Sequence, residues 1–221
     1  MSKTIAFIHT SPTMIPLFKG LATELLPSTG LTTFNMVDES LLCDIIRDGC
    51  TPANTAKRLV GHVLAAESAG ADIVLVTCSS MGRAVEASRV MSSARVLRVD
   101  EPMAEKAVAT GNRIGVIATL PSTMEPTVAL IKAKAQAAGK SPEIISQVVD
   151  GAFAAVIGGD GAKHDALVSE ALKAMAKKTD VIVLAQASMA RVVDALSPAD
   201  KPVPILSSPR LAMEHLATLV K

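Results

Sequence analysis

The stretch Asp72-Ile-Val-Leu-Val-Thr-Cys-Ser-Ser-Met-Gly-Arg-Ala-Val-Glu86 has a second version in the same chain. It is Asp180-Val-Ile-Val-Leu-Ala-Gln-Ala-Ser-Met-Ala-Arg-Val-Val-Asp194, at an offset of 108 (180 − 72). The opening aspartate, Ser80/Ser188, Met81/Met189, Arg83/Arg191 and Val85/Val193 are identical in the two copies. Each copy starts with a short unbroken apolar run, passes a polar turn and continues into a helix. A continuous apolar run of this length suits a strand covered on both faces of a sheet.

Working outward, Thr4-Ile-Ala-Phe-Ile-His-Thr-Ser-Pro12 matches Arg113-Ile-Gly-Val-Ile-Ala-Thr-Leu-Pro121 at an offset of 109 (113 − 4). Val96…Pro102 matches Val203…Pro209 at 107 (203 − 96). Three strand-plus-loop segments recurring in one order at nearly one spacing indicate a duplication; independent convergence on similar strand–turn–helix solutions is the alternative. The expected strands are Thr4–His9, Asp72–Thr77, Val96–Val99, Arg113–Ala118, Asp180–Ala185 and Val203–Leu206. A helix is expected between Thr51, a capping residue followed by Pro52, and Gly70. Two more span Lys163–Lys178 and Pro209–Val220. Strand–helix alternation of this kind makes βαβ units. The expected fold class is α/β, with two pseudo-symmetric lobes, each a mostly parallel sheet flanked by helices, and a site between the lobes. The lobes are expected at 1–109 and 110–208, with a C-terminal helix at 209–221 folding back on the first.

Composition narrows the function classes. Lys+Arg (22) and Asp+Glu (21) nearly cancel, so no basic field is present to hold nucleic acid or an anionic membrane surface. Aromatics are 2% of residues, without Trp or Tyr, which removes base-stacking platforms and aromatic cages. Hydrophobic residues reach 49%, enough for a large aliphatic core, and this composition is compatible with a homo-oligomer. No run approaches the roughly 20 apolar residues of a membrane span. The N-terminal segment does not read as a signal peptide. Three cysteines without framework spacing point to a reducing compartment, so a cytoplasmic location is expected. No Cys/His cluster has metal-ligand spacing, so no metal is expected.

In parallel sheets, ligands bind beyond the carboxyl ends of the strands. Four repeated strands end there in polar loops: His9-Thr10-Ser11, Thr77-Cys78-Ser79-Ser80, Thr119-Leu120-Pro121-Ser122-Thr123 and Gln186-Ala187-Ser188. Hydroxyls and helix N-terminal N–H groups in such loops suit a carboxylate ligand, and each hydroxyl has an alternative use as a helix cap. Thr10, Ser11, Ser79, Ser80, Thr119, Ser122, Thr123 and Ser188 are therefore candidate substrate-binding residues. Cys78 is the candidate catalytic thiol, and its place before a helix is expected to lower its pKa. Cys43 reads as core, Cys50 as a loop residue. Gly158-Gly159-Asp160-Gly161 lacks the continuation of a P-loop and reads as a turn.

The Thr77-Cys78-Ser79-Ser80 segment and the second-half segment ending Ala187-Ser188-Met189 resemble the two cysteine loops of the aspartate/glutamate/hydantoin racemases. The stretch Phe153…Gly158-Gly159-Asp160…His164-Asp165 extends the resemblance over most of the chain. The resemblance implies a cofactor-independent isomerase acting on a small carboxylate substrate. In that family one thiol takes a proton from the α-carbon and a second delivers one from the other face. Cys78 falls on the first family cysteine, and the second falls on Gln186. An amide cannot act as a base near neutral pH. Three readings follow. His9, whose repeat counterpart is Ala118, can serve as the second base. Alternatively Cys78 acts alone, in decarboxylation, a lyase step or cis–trans isomerisation, with Gln186 holding a carboxylate or enolate oxygen. In the third, the protein binds a small acid without converting it.

Overall fold

The computed structural model describes residues 3–27 and 29–220. The chain divides into two compact units, Met1–Val99 with Pro209–Lys221, and Asp100–Ser208. The first contains β1 (Lys3–His9), α1 (Met14–Leu25), β2 (Leu31–Val37), α2 (Glu39–Asp48), α3 (Ala53–Ser68), β3 (Ile73–Val76), α4 (Gly82–Arg89) and β4 (Arg95–Arg98). The second contains α5 (Glu101–Thr110), β5 (Arg113–Ala118), α6 (Pro121–Ala137), β6 (Glu143–Val148), α7 (Ala152–Ile157), α8 (Gly161–Ala176), β7 (Val181–Leu184), α9 (Ala190–Ala195) and β8 (Ile205–Leu206). The final helix, α10 (Ser208–Leu219), lies almost wholly in the first unit.

Each unit holds a four-stranded parallel sheet, ordered β2-β1-β3-β4 in one and β6-β5-β7-β8 in the other. The two orders are the same once the repeat is applied. The ladders also refine the third offset. Val96 pairs with Val74 and Ile205 with Ile182, so β4 and β8 correspond at 109 (205 − 96), not 107.

Central strands are apolar on both sides because both sides are covered. In β1, Ile5 and Phe7 join Phe18, Leu21 and Leu75 in one core, while Ala6 and Ile8 join Leu41, Leu59 and Val63 in another. The edge strands β2 and β6 escaped the sequence reading because they mix apolar with polar residues such as Thr32, Asn35, Ser146 and Gln147, and stay half exposed. The repeated aspartates stitch strand starts together. Asp72 accepts the Thr4 N–H (2.7 Å), and Asp180 accepts those of Asn112 (3.0 Å) and Arg113 (2.9 Å).

The boundary falls after Val99, not near residue 109, because α5 packs with the second unit. Its Met103, Ala104, Ala107 and Val108 are buried there, and Lys134 reaches Glu101 (2.6 Å) and Glu105 (2.8 Å). Reciprocally, α10 packs with the first unit. Ala212, Met213 and Leu216 lie against the core of Ile5, Phe7 and Phe18, and Arg210 pairs with Glu24 through two 2.8 Å bonds. The helix after each unit's last strand thus packs on the other unit.

Local signals hold in part. Asp38 caps α2 by accepting the Ser40 N–H (3.1 Å), and Gly49 ends it in the left-handed region. Asp160 caps α8 through the Lys163 N–H (3.0 Å), which gives the glycine-rich turn before it a structural use. Thr51 does not cap α3; Pro52 holds the N-cap position, and the Thr51 hydroxyl donates to the Ser80 carbonyl (2.9 Å). Cys43 is exposed, not core: Leu41 and Ile45, one turn apart, take the buried face of α2, and Cys43 points away from it.

Candidate functional site

From β1 the first unit's chain runs outward to β2, then returns across β1 to form β3. The strand order reverses between β1 and β3, and the crevice beyond their carboxyl ends is where such sheets bind ligands. The second unit repeats this between β5 and β7. The four polar loops singled out in the sequence follow these four strands.

In the first unit, Cys78 ends the extended run after β3 and precedes a single 3-10 turn, Ser79–Met81, that leads into α4. Cys78 as a residue is half buried. Burial pushes the thiol pKa up. The Thr10 hydroxyl, the N–H groups of Ser80 and Met81 and the Ser80 hydroxyl act in the opposite sense, and burial prevails. The expectation of a lowered pKa is corrected on this ground: one turn of backbone donors does not offset the lost water. Ser80 Oγ is buried without a hydrogen-bond partner among the described residues. A hydroxyl beside the sulfur and lacking an acceptor is satisfied if the thiol ionises or a ligand oxygen arrives.

In the second unit, Gln186 occupies the place of Cys78. Its Oε1 accepts from the Thr119 N–H (2.6 Å) and the Thr119 hydroxyl (2.9 Å). Thr119 is the repeat counterpart of Thr10, so both units pair a threonine after the first strand with residue 78 or 186 after the third. With its oxygen engaged, the Gln186 amide presents only N–H donors.

The other hydroxyls are not helix caps. Among the described residues α1, α4, α6 and α9 carry no side-chain cap bond, whereas α2 and α8 are capped by aspartates. Ser11 Oγ bonds the Thr13 hydroxyl (2.8 Å) and lies 3.4 Å from the Thr13 N. Thr123 donates to the Leu120 carbonyl (2.9 Å). Thr10, Ser79, Ser80, Thr119 and Thr123 are buried, and Ser11 and Ser122 are half buried. The Ser188 side chain lies outside the described residues.

His9 is not presented as a free base. It is fully buried, with Nδ1 2.8 Å from Thr77 Oγ1 and Nε2 2.9 Å from Asn35 Oδ1. Its ring lies 6.2 Å from that of Phe7 and 5.6 Å from that of Phe18. With the Thr77 hydroxyl donating to the Ile8 carbonyl (3.1 Å), Nδ1–H donates to Thr77 Oγ1, and a neutral ring completes the set when the Asn35 amide presents an N–H donor to Nε2. Burial lowers the His9 pKa, and the bond to Asn35 opposes this only in part. The folded protein therefore binds fewer protons here than the unfolded chain below pH ~6.5. The stability this confers is complete above that pH and is lost as pH falls toward the folded pKa. Denaturation midpoints measured between pH 7 and 5 should decline, and His9→Gln should flatten the decline. A parallel slope in that variant would count against a titrating His9.

Asn35, on an edge strand, was not picked out by sequence reasoning; only its tie to His9 reveals it. The remaining polar clusters are ion-pair networks. Burial would raise the Asp38 carboxyl, but hydrogen bonds from Ser40, His62 and Arg58 hold it well below the usual carboxylate range. In the second unit, Asp165 joins His164 Nδ1 (2.7 Å) and Arg191 (2.7 Å). Among the described residues no group of three or more His, Cys, Asp or Glu is placed to hold a metal ion, and no helix is long and apolar enough to cross a membrane.

The family model described as Asp/Glu/Hydantoin racemase matches residues 8–216. Among solved structures, a glutamate racemase from Bacillus anthracis is similar with 18% identity and a TM-score of 0.75, over 99% of this chain and 81% of that one. An allantoin racemase from Klebsiella pneumoniae is similar with 17% identity and a TM-score of 0.71, over 99% and 88%. For an aspartate racemase from Picrophilus torridus the values are 14%, 0.71, 98% and 94%. Identities this low speak for a common fold. Among curated proteins none matches the sequence.

Proposed function

The chain belongs to the Asp/Glu/Hydantoin racemase family, and from that premise we propose a cofactor-independent enzyme of isomerase type. The Cys78 thiolate takes a proton from the carbon beside the carboxylate of a small amino acid, or beside the ring carbonyl of a hydantoin, water returns a proton to the opposite face, and Cys78 is the enzyme's only proton-transferring thiol. The observation that carries this reading is the setting of Cys78. A half-buried cysteine lies at a topological switch point, the Thr10 hydroxyl and two backbone N–H groups favour its anion, and the Ser80 hydroxyl beside it is unsatisfied among the described residues. In the same unit, the hydroxyls of Ser11 and Ser79 would offer donors to substrate oxygens. A working thiol needs a reducing compartment, which on this reading is the cytoplasm.

Symmetric exchange between two thiols is not part of the proposal. Gln186 takes no proton, and its N–H groups suit a carboxylate or enolate oxygen instead. A second reading has a specific observation in its favour. Burial keeps the resting Cys78 protonated near neutral pH, so the thiol starts as a donor. It would pass its proton to a carbanion, become thiolate, and regain a proton from solvent. This is the order needed for single-thiol decarboxylation, where departure of CO₂ leaves the carbanion; a lyase step or cis–trans isomerisation would instead use Cys78 as a thiolate nucleophile that adds to the substrate and is expelled afterwards.

Incubation with amino acids, hydantoins and dicarboxylates in D₂O tests both. Deuterium at the α-carbon with loss of optical purity is the expected result for the first reading. Release of CO₂ without prior exchange selects the second. Saturable binding of a panel acid with neither change would make the protein a binder of small acids.

A further inference from the structure

The proposed chemistry at Cys78 uses neither His9 nor Thr77, yet both are polar and buried at the ends of β1 and β3. At the corresponding positions of the second unit stand Ala118 and Ala185, both buried in the ordinary apolar manner. Burying a polar pair is costly unless each member is hydrogen-bonded, and here the bonds are made. His9 Nδ1 lies 2.8 Å from Thr77 Oγ1, Asn35 holds the far side of the ring at 2.9 Å, and Thr77 Oγ1 also lies 3.1 Å from the Ile8 carbonyl. The ring packs against Phe18, with 5.6 Å between centroids.

The neighbours in sequence give this cluster its meaning. Thr10 follows His9 and Cys78 follows Thr77, so the pair that interacts through the sulfur is one residue along from the pair that interacts through the ring. The four residues close a loop that crosses from β1 to β3 twice. In the second unit the amide of Gln186 reaches Thr119 directly, with two bonds, and no polar pair lies behind it. A sulfur is a weaker acceptor than an amide oxygen and cannot hold its threonine so firmly. The polar clamp therefore occurs in the unit whose strand-end residue is the thiol.

We infer that His9, held by Thr77 and Asn35, is a positioning residue that fixes the ends of β1 and β3 so that the Thr10 hydroxyl and the Cys78 sulfur stay aligned. This rests on the reading of Cys78 as the working thiol, and it gives His9 a part other than that of second base.

The test is the pH profile of Cys78 alkylation by iodoacetamide in the folded full-length protein. Peptide-resolved mass spectrometry separates Cys78 from the exposed Cys43 and Cys50. Thr77→Val removes the hydroxyl at nearly constant volume, Thr77→Ser keeps it, and Val63→Ala is a control for general destabilisation of the same unit. Loosening the clamp admits water to a sulfur whose proton affinity is raised by burial. The midpoint should fall in Thr77→Val by about half a pH unit or more, roughly a threefold change in thiolate fraction near neutrality. Thr77→Ser should restore it, and Val63→Ala should leave it in place. Asn35→Ala, on the exposed edge strand, should move it the same way and does not disturb the core. The inference is overturned if Thr77→Val and Asn35→Ala both keep the wild-type midpoint, if either raises it, or if Val63→Ala moves it equally. Loss of the functional reading is seen elsewhere, in the turnover of Cys78→Ala, so the two failures are told apart.

Discussion

Replacing Cys78 by alanine is expected to lower turnover of the true substrate by roughly 10²–10⁴-fold, the range over which a positioned acid or base contributes. The reason is arithmetic as well as geometric. The chain has three cysteines, and the other two, Cys43 and Cys50, are exposed around α2 rather than placed at a strand-end loop. His9 has both ring nitrogens engaged, and the Gln186 oxygen is taken up by Thr119. Among the described loop residues at the two switch points, Cys78 is thus the group with a labile proton suited to the task. Cys78→Ser should be nearly as inactive, although it preserves size and hydrogen bonding, because an aliphatic hydroxyl gives up its proton far less readily than a thiol. Ligand binding should survive in both variants, since on the proposed reading donors other than the sulfur hold the carboxylate. The check is steady-state turnover beside direct binding on the same preparation. Turnover within a few fold of wild type in the alanine variant would remove Cys78 from the mechanism.

The architecture was legible because a few repeated residues do the same mechanical work in both units. Asp72 and Asp180 each tie the start of one strand to its neighbour, and unbroken apolar runs such as Ile73–Val76 and Val181–Leu184 exist because both faces of each sheet are covered. Of the edge strands, β4 and β8 were legible but β2 and β6 were not, since partial exposure lets polar residues in and dilutes the pattern. The exchange of α5 and α10 was half legible. The last helix was expected on the first lobe, but nothing in the spacing of Glu101–Thr110 says which sheet its apolar side will cover. At the site, the sequence located Cys78 and Gln186 through the repeat. It could not give the charge state of the thiol, which depends on the balance between lost water and converging donors. Nor could it show that Gln186 spends its oxygen on Thr119, or that His9 is held between Thr77 and Asn35. Those facts arise from contacts 26 to 68 residues apart in sequence.

Gly82→Ala is expected to destabilise the first unit by about 2 kcal/mol, within the usual range for overpacking, even though alanine is the better helix former. Gly82 opens α4 directly after the Cys78 loop. A Cβ there would fall on Cζ and Nη2 of Arg98, with Nη1 at 2.7 Å. That guanidinium is buried, 5% exposed, and pairs with Glu86. It cannot swing aside without breaking the pair or forcing α4 outward, and the second course would drag the 3-10 turn and the Cys78 loop with it. The second unit shows the alternative solution. Gly82 corresponds to Ala190, and Arg98, by the offset of the β4 and β8 ladders, corresponds to Ser207 (98 + 109). Where no guanidinium lies beneath the helix start, a methyl group is accommodated. Glycine and arginine are therefore expected to be coupled. Arg98→Ser alone should cost stability by releasing Glu86 and emptying space, but Gly82→Ala added to it should then cost little. Chemical denaturation of the two single variants and the double variant gives the coupling directly, with about 1–2 kcal/mol expected between residues in contact. Strict additivity would mean that the helix start yields without strain and that glycine at position 82 has another cause. With coupling present, Cys78 alkylation in Gly82→Ala should also change while the double variant returns toward wild type, because the sulfur's loop and the helix start move as one piece.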